Sequence, residues 1–141
     1  MTHPAPAYFL SFVIENVRCF GPRQELDLSD GGGRPAPWTV ILGDNGTGKT
    51  TLLRGLAVSF RQSRAYSLML NPAAAFLPWS RDGQSLLIDA QWSAGTLGEG
   101  ERRSLQSTLR LVGGQFSKTT TAETDGFSFT CLGYGASRRM G

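Results

Sequence analysis

The residues best suited to chemistry lie in one glycine-rich stretch, GDNGTGKTT, residues 43–51. The spacing G-x-x-x-x-G-K-[ST] of a phosphate-binding loop is met by four of them: Gly43, Gly48, Lys49 and Thr50. Glycines let successive backbone N–H groups point at an anion, because no Cβ atom obstructs them. A helix that begins near Lys49 would add its unpaired N–H groups and the positive end of its dipole. The pattern therefore predicts a site for a nucleoside triphosphate.

Each side chain of this loop has an expected role. Lys49 is the predicted catalytic residue, placed to reach the β and γ phosphates, and the Thr50 hydroxyl is a predicted ligand of Mg²⁺. Thr51 is expected to add a hydroxyl contact near the α phosphate. The remaining positions of the predicted nucleotide-binding site are Gly43, Asp44, Asn45, Gly46, Thr47 and Gly48. The alternative is a glycine-rich strand-to-helix turn that binds nothing.

The loop must lie between a buried strand and a helix. WTVIL, residues 38–42, is a short apolar run and predicts a strand buried on both faces. The helix is predicted from Lys49 to about Ser63, with one apolar face made of Leu52, Leu53, Leu56, Ala57 and Phe60. Gly55 within this helix costs about 1 kcal/mol relative to alanine, which close packing against a strand would offset.

Further strands are predicted on both sides of this unit. YFLSFVIENV, 8–17, is rich in aromatic and β-branched residues, and QELDLS, 24–29, alternates polar and apolar residues. Residues 67–85 predict a long loop with room for one helical turn. An antiparallel meander is predicted over 86–134, with strands in LLIDAQW, STLRLV, QFSKTTTAE and FSFTCLGY and turns at Gly113-Gly114 and Asp125-Gly126.

Composition indicates one soluble globular domain. The chain has 141 residues, of which 40% are hydrophobic and 18% charged, and its formal net charge is +3. That charge suits either acidic partners or a solvated surface. A single histidine and two isolated cysteines exclude a zinc cluster, and the cysteines are expected to be free thiols. No secretion signal or membrane span is recognisable, so a cytoplasmic location without membrane insertion is expected.

The motif GDNGTGKTTLLRGLA resembles the phosphate loop of ABC-class ATPases, especially the RecF, SMC and OLD-like group of AAA-family ATPases. IENVRCF, 14–20, resembles the N-[FV]-[RK]-x-[FY] turn of that group, and QELDLS resembles its second strand. The resemblance covers residues 8–66 and extends over 86–134 only as architecture. It implies an α/β fold: the amino-terminal lobe of a P-loop NTPase with an antiparallel β-subdomain, so that 1–141 form a single partial ATPase domain.

The resemblance also implies residues near the base and ribose. Arg18 and Phe20 occupy the turn where the family places such contacts, so Phe20 is expected to stack on the base and Arg18 to reach a phosphate. The alternative places Phe20 under its own turn and Arg18 in solvent. No guanine-recognition motif is visible, and the resemblance implies ATP with Mg²⁺.

Parts of such an ATPase are not found in these 141 residues, namely the signature segment, the Walker B strand ending in Asp-Glu and the switch histidine. LLIDAQ, 86–91, offers Asp89 as a Walker B aspartate, but no glutamate follows it and the alternation suits a half-exposed strand. Without a carboxylate to orient water, this chain is expected to bind ATP and scarcely hydrolyse it. It is therefore expected to be the amino-terminal lobe of a larger ATPase that hydrolyses ATP when complete.

The implied partners are ATP, a missing carboxy-terminal lobe or second ATPase subunit, DNA, and a nuclease or other effector protein. The implied setting is DNA repair, chromosome maintenance or phage defence, an expectation from the family rather than from site chemistry. Two alternatives remain: a transport-type ATP-binding subunit coupled to a membrane partner, and a nucleotide-sensing interaction module that never turns ATP over.

Several other residues carry weaker expectations. Lys118 is expected to be a solvated charge on an edge strand. Arg138 and Arg139 end LGYGASRR, a segment that also resembles these ATPases, and would contact phosphate, DNA or the missing lobe unless they form a frayed terminus. Trp79 and Trp92 are expected to be packing residues or anchors for a partner.

Overall fold

The computed structural model describes residues 5–60, 72–94, 103–120 and 127–128. The strands are β1 (Ala5–Glu15), β2 (Gln24–Asp27), β3 (Leu86–Ala94), β4 (Arg103–Val112), β5 (Gln115–Thr120) and β6 (Phe127–Ser128). The helices are α1 (Lys49–Phe60) and α2 (Pro72–Phe76), and a 3₁₀ turn follows α2 at Leu77–Trp79.

The strands form one sheet in the order β2-β1-β3-β4-β5, and every neighbouring pair in this order is antiparallel. Gly113 and Gly114 join β4 to β5 with φ angles of 55° and 77°, which confirms the predicted tight turn. β6 pairs with the start of β1 and runs parallel to it. The amino-terminal strands and the meander therefore share one sheet rather than forming separate layers.

The core lies on the sheet face made by alternate residues of β1, β3 and β4. Phe12 pairs with Ala90 across β1 and β3, and Ile88 pairs with Leu109 across β3 and β4. All four side chains are fully buried. Trp92 is also buried and packs edge-on against Phe9, with ring centroids 6.1 Å apart, which confirms its predicted packing role.

Helix α1 packs on this core face through a row at positions i, i+3, i+4 and i+7, which consists of Leu52, Gly55, Leu56 and Ser59. The predicted apolar face was wrong in part, because Leu53 is 56% exposed and Ala57 is exposed as well. Small residues at positions 55 and 59 let the helix axis approach the sheet, and this rotates the larger Leu53 away from it. Phe60 ends the described part of the helix.

Gly55 makes the closest contact between α1 and the sheet. A Cβ atom at this position would lie 2.7 Å from Cζ of Phe12, a distance that real Cβ atoms do not reach. The predicted compensation for a glycine inside the helix, close packing against a strand, is confirmed. Residues 72–79 also fulfil the expectation of a loop with a helical turn, as α2 and the 3₁₀ turn.

The segment 38–42 is not the buried strand that its composition predicts. It pairs with none of the described strands, and Trp38, Val40 and Leu42 are 88%, 78% and 87% exposed. A strand buried on both faces needs partner strands beside it and layers above and below. The described residues place their strands in an antiparallel sheet elsewhere, so the apolar run lies against solvent.

Two predictions about the meander also need correction. β6 pairs in parallel with β1, whereas the pattern predicted an antiparallel meander throughout. Lys118 lies on the edge strand β5, as expected, but on the core-facing side with Phe116, where it is half-buried rather than solvated. Burial lowers the pKa of its ammonium group to about 8.

Some predictions concern residues outside the described ranges: the turn at Asp125-Gly126, Cys131, and the segment LGYGASRR with Arg138 and Arg139. Within the ranges that are described, no helix combines the length and apolar character needed to cross a bilayer.

We predict that Gly55→Ala destabilises the fold by about 1–3 kcal/mol, because the new methyl group would overlap the Phe12 ring. This loss outweighs the gain of about 1 kcal/mol in helix propensity. Urea unfolding measures the difference. Arg54→Ala, at an exposed position of the same helix, is the matched control and should change stability little. A more stable Gly55→Ala variant would contradict the close contact.

We also predict a pH-dependent effect of Lys118→Met. The folded-state pKa of Lys118 is about 8 and the ordinary value is 10.5, so the unfolded chain binds the extra proton between these values. Native stability should therefore rise with pH across that window. Lys118→Met should be more stable than the parent below pH 8, and the gap should narrow towards pH 10.5. Urea titrations over this range test it, with the exposed Ser117→Ala as control; parallel pH profiles would refute it.

Candidate functional site

The glycine-rich loop keeps the backbone conformation that its glycines permit. Gly46 and Gly48 have φ angles of 86° and 97°, in the left-handed region where side chains with a Cβ atom are strained. Helix α1 begins directly afterwards at Lys49, and its first turn is closed by the Leu52 N–H, which donates to the Gly48 carbonyl at 2.9 Å. Helix geometry leaves the N–H groups before Leu52 without intrahelical partners, so they are available to an anion.

The Lys49 side chain folds back over the loop. Its ammonium group donates to the carbonyl oxygens of Gly43 at 2.5 Å and Asp44 at 2.6 Å. The Thr47 hydroxyl donates to the same Asp44 carbonyl at 2.8 Å. These bonds close the loop into a ring around the lysine. Phosphate oxygens would be stronger acceptors for the ammonium group than neutral carbonyls, so a ligand can displace them.

A cavity of about 350 Å³ opens beside the loop and the start of α1. This volume is within the range of small-molecule sites, about 300–1,000 Å³. Its lining is made of Arg18, Cys19, Asn45, Gly46, Gly48, Lys49, Thr50 and Thr51. Two cationic side chains, loop glycines and hydroxyls thus face one space, which is the donor set that a polyphosphate requires.

The turn after β1 packs directly against the loop. A Cβ atom at Gly48 would lie 2.5 Å from the Cys19 sulfur and 2.9 Å from the Phe20 ring, so only glycine fits there. Asn16 and Arg18 have φ angles of 54° and 50°, which is uncommon for residues other than glycine. Such strain persists only where surrounding contacts enforce it. The turn is therefore held in place rather than left to relax.

The 3₁₀ turn and the residues that follow it supply those contacts. The Arg18 N–H donates to the Trp79 carbonyl at 2.8 Å, and the Arg81 N–H donates to the Asn16 carbonyl at 3.1 Å. The Asn16 side-chain amide in turn donates to the Ser85 carbonyl at 2.7 Å. Both residues with positive φ are thus bonded to a segment more than sixty positions away in the chain.

Asp82 organises that segment. Its carboxylate accepts the N–H groups of Ser85 and Gln84, each at 2.8 Å, and the hydroxyl of Ser80 at 2.8 Å. These bonds, led by the Ser85 and Gln84 amides, hold the pKa of Asp82 well below its usual range. The segment that clasps the turn is therefore itself fixed by a local hydrogen-bond network.

Asp89 does not face the cavity. It lies in the middle of β3, between the buried core residues Ile88 and Ala90, and so points to the opposite face of the sheet. Its carboxylate accepts hydrogen bonds from the Gln106 amide at 3.0 Å and the Thr108 hydroxyl at 2.5 Å. The alternation of side chains along β3 turns Asp89 away from the cavity, which agrees with the sequence argument against a Walker B role for it.

The chemistry of the donor set fits Mg²⁺ only in part. Thr50 is exposed and lines the cavity next to Lys49, so its hydroxyl group would hold the ion. A bound ion would supply positive charge that neutralises part of the phosphate charge. Among the described residues, no group of three His, Cys, Asp or Glu side chains is arranged to hold a metal.

The predicted site residues thus occupy three places. Seven line the cavity: Arg18, Asn45, Gly46, Gly48, Lys49, Thr50 and Thr51. Gly43, Asp44 and Thr47 form the internal bonds of the loop, and Phe20 packs against Gly48 instead of lining the cavity.

The sequence places Cys19 in the same turn as Arg18 and Phe20, but no role was predicted for it. Sequence reasoning missed the contacts that Trp79 and Arg81 make with this turn. No local pattern connects Trp79 or Arg81 to the turn, because the contact depends on how distant segments pack.

Residues 11–64 match a family model described as an AAA domain. The match contains the second half of β1, together with β2, the glycine-rich loop and α1. It supports an AAA-type P-loop ATPase, a nucleotide-binding class, for this part of the chain. No curated protein matches the chain.

We predict that Gly48→Ala is more destabilising than Gly46→Ala. Both positions have positive φ, which costs about 1–2 kcal/mol for alanine. The space around Gly46 is open, whereas a methyl group at Gly48 would also collide with Cys19 and Phe20. Thermal unfolding of both variants measures the difference. Equal losses of stability in the two variants would show that Cys19 and Phe20 do not restrict the space at position 48.

Proposed function

We propose that this chain binds ATP with Mg²⁺ through residues 43–51, as part of an ABC-class ATPase of the RecF, SMC and OLD-like group. The observation that carries the proposal is the glycine-rich loop with Gly46 and Gly48 at positive φ, placed at the start of α1 beside the 350 Å³ cavity. A turn that bound nothing would not need two glycines at positive φ, an adjacent lysine and an open space of this size.

The loop residues divide the work of binding between them. Lys49 exchanges its two carbonyl acceptors for the β and γ phosphate oxygens, and the amides at the start of α1 donate to the same phosphates. The Thr50 hydroxyl holds Mg²⁺, and Thr51 contacts the α phosphate. Arg18, which also lines the cavity, adds a second positive charge. Base stacking by Phe20 would require its ring to leave Gly48.

Hydrolysis belongs, in this proposal, to a larger assembly. The described residues place no carboxylate on the cavity wall, so the groups that orient water would come from a carboxy-terminal lobe or a second ATPase subunit. The exposed Trp38, Val40 and Leu42, together with Leu53 of α1, support such a partner because an apolar surface of this kind is unfavourable in water.

The proposed setting is DNA repair or phage defence in the cytoplasm, with DNA and a nuclease or other effector as further partners. The RecF and SMC resemblance of the loop and of the turn at 14–20 supports this setting over a transport-type subunit. A nucleotide sensor that never hydrolyses ATP is the second candidate, favoured by the orientation of Asp89 away from the cavity.

We predict that Lys49→Ala abolishes binding of Mg·ATP, or weakens it at least about 100-fold, because the ammonium group is the main charge on the phosphates. Isothermal titration calorimetry measures the affinity. The chain contains one other lysine, and Lys118→Met on the distant strand β5 is the matched control that should bind as the parent does. Absence of binding by the parent chain would reject the proposal.

ATP hydrolysis measured on the same preparations distinguishes an ATPase from a nucleotide sensor. Negligible hydrolysis by this chain is expected, and turnover restored when a longer form of the protein is used supports an ATPase. Binding without hydrolysis in the longer form as well would support the sensor. Robust hydrolysis by this chain, lost in Lys49→Ala, would refute the need for a further lobe.

A further inference from the structure

Three aromatic rings form a row from the edge of the sheet to the cavity. Phe116 of β5 stacks on Phe76 with centroids 5.0 Å apart and planes at 4°. Phe76, which is buried, meets Trp79 edge-on at 5.8 Å and 69°. The Arg18 guanidinium carbon lies over the Trp79 ring, 5.6 Å from its centroid. Trp79 is therefore a ring anchored in the core that presents its face to a cation.

Trp79 also fixes the backbone of Arg18. The Arg18 N–H donates to the Trp79 carbonyl at 2.8 Å, although Arg18 has a strained φ of 50°. One residue thus contacts both the main chain and the guanidinium group of the arginine. An exposed arginine without such a contact would sample many rotamers, at a cost of about 1.5–2 kcal/mol when a ligand immobilises it.

The held guanidinium lies on the wall of the same cavity as Lys49 and the loop glycines. A guanidinium that lies over an aromatic face keeps N–H edges free for other acceptors. Those edges match the oxygens of a phosphate in a two-point contact. A lysine at position 18 would keep the charge near the ring but lack the fixed fork of N–H donors for the two-point contact.

We propose that Trp79 is a positioning residue for nucleotide binding, which holds the Arg18 guanidinium at the cavity so that it contacts the polyphosphate opposite Lys49. This inference rests on the proposed function. It adds a requirement that lies outside the phosphate loop, in a segment that the sequence pattern predicts to be a loop. Trp79 itself contacts no phosphate, and it acts through Arg18.

A double-mutant cycle tests this role, with Trp79→Leu, Arg18→Gln and the double variant compared by Mg·ATP calorimetry. Each single variant should weaken binding about three- to ten-fold, and the double variant should be no weaker than Arg18→Gln. Trp79→Phe, which keeps a ring, should bind within about two-fold of the parent. The salt dependence of binding should become shallower in Trp79→Leu, because a charge has left the phosphates.

Two controls distinguish positioning from a general loss of structure. Trp38→Leu removes an exposed tryptophan that is not part of the ring row, and it should leave affinity unchanged. Thermal unfolding identifies any variant that has lost its fold. If Trp79→Leu does not fold, Arg18→Lys tests the contact from the other side, since it keeps the charge, lacks the planar group and should bind about three-fold more weakly or worse.

The possible outcomes distinguish the positioning role of Trp79 from nucleotide binding itself. Losses from Trp79→Leu that are the same with and without Arg18 would overturn the positioning role while leaving nucleotide binding intact. Unchanged affinity in Trp79→Leu, or in Arg18→Lys where that variant is used, would do the same. Absence of binding by the parent chain would reject the proposed function and this role together.

Discussion

Close backbone approach at two glycines is the constraint on which the candidate site depends. Gly55 brings α1 onto the Phe12 ring of β1, and Gly48 brings the loop onto the Cys19 and Phe20 side chains. The first contact fixes the direction in which the helix points its amino terminus. The second fixes the loop against the turn that bears Arg18. A side chain at either position would separate the loop from the sheet, and the cavity between loop and turn would lose its shape.

The sheet contributes to the site indirectly, through the elements that it orients. β1 leads into the strained turn at residues 16–20, and the segment at 77–85 leads into β3 and holds that turn by backbone hydrogen bonds. Since β1 and β3 are paired along most of their length, the turn at 16–20 and the segment at 77–85 that holds it adjoin neighbouring strands. The aromatic row from Phe116 to Trp79 links the segment at 77–85 to strand β5 at the edge of the sheet. The cation that faces the loop is thereby tied to the core.

The exposed apolar residues at 38–42 form a surface suited to a partner, directly beside the polar phosphate loop. They precede the phosphate loop directly, so whatever covers them would also restrain the loop from its amino-terminal side. In the proposed assembly, a partner that buries Trp38, Val40 and Leu42 would lie next to the bound phosphates, where catalytic groups are needed. The same surface would then join assembly to nucleotide binding, because both involve adjacent residues of one short segment.

The sequence by itself determined the local features of this protein. Residue spacing, turn chemistry and strand propensity act within a few residues. They predicted the loop, the start of the helix, the Gly113-Gly114 turn and the positions of β1 to β5. The tertiary structure alone decided the rest: that 38–42 lies exposed, that β6 runs parallel to β1, that Asp89 faces away from the cavity, and that Leu53 points to solvent. Burial, strand partners and the contact of Trp79 with Arg18 are properties of segments brought together from distant parts of the chain. No local pattern carries them, because the free energy that selects them arises only when those segments pack.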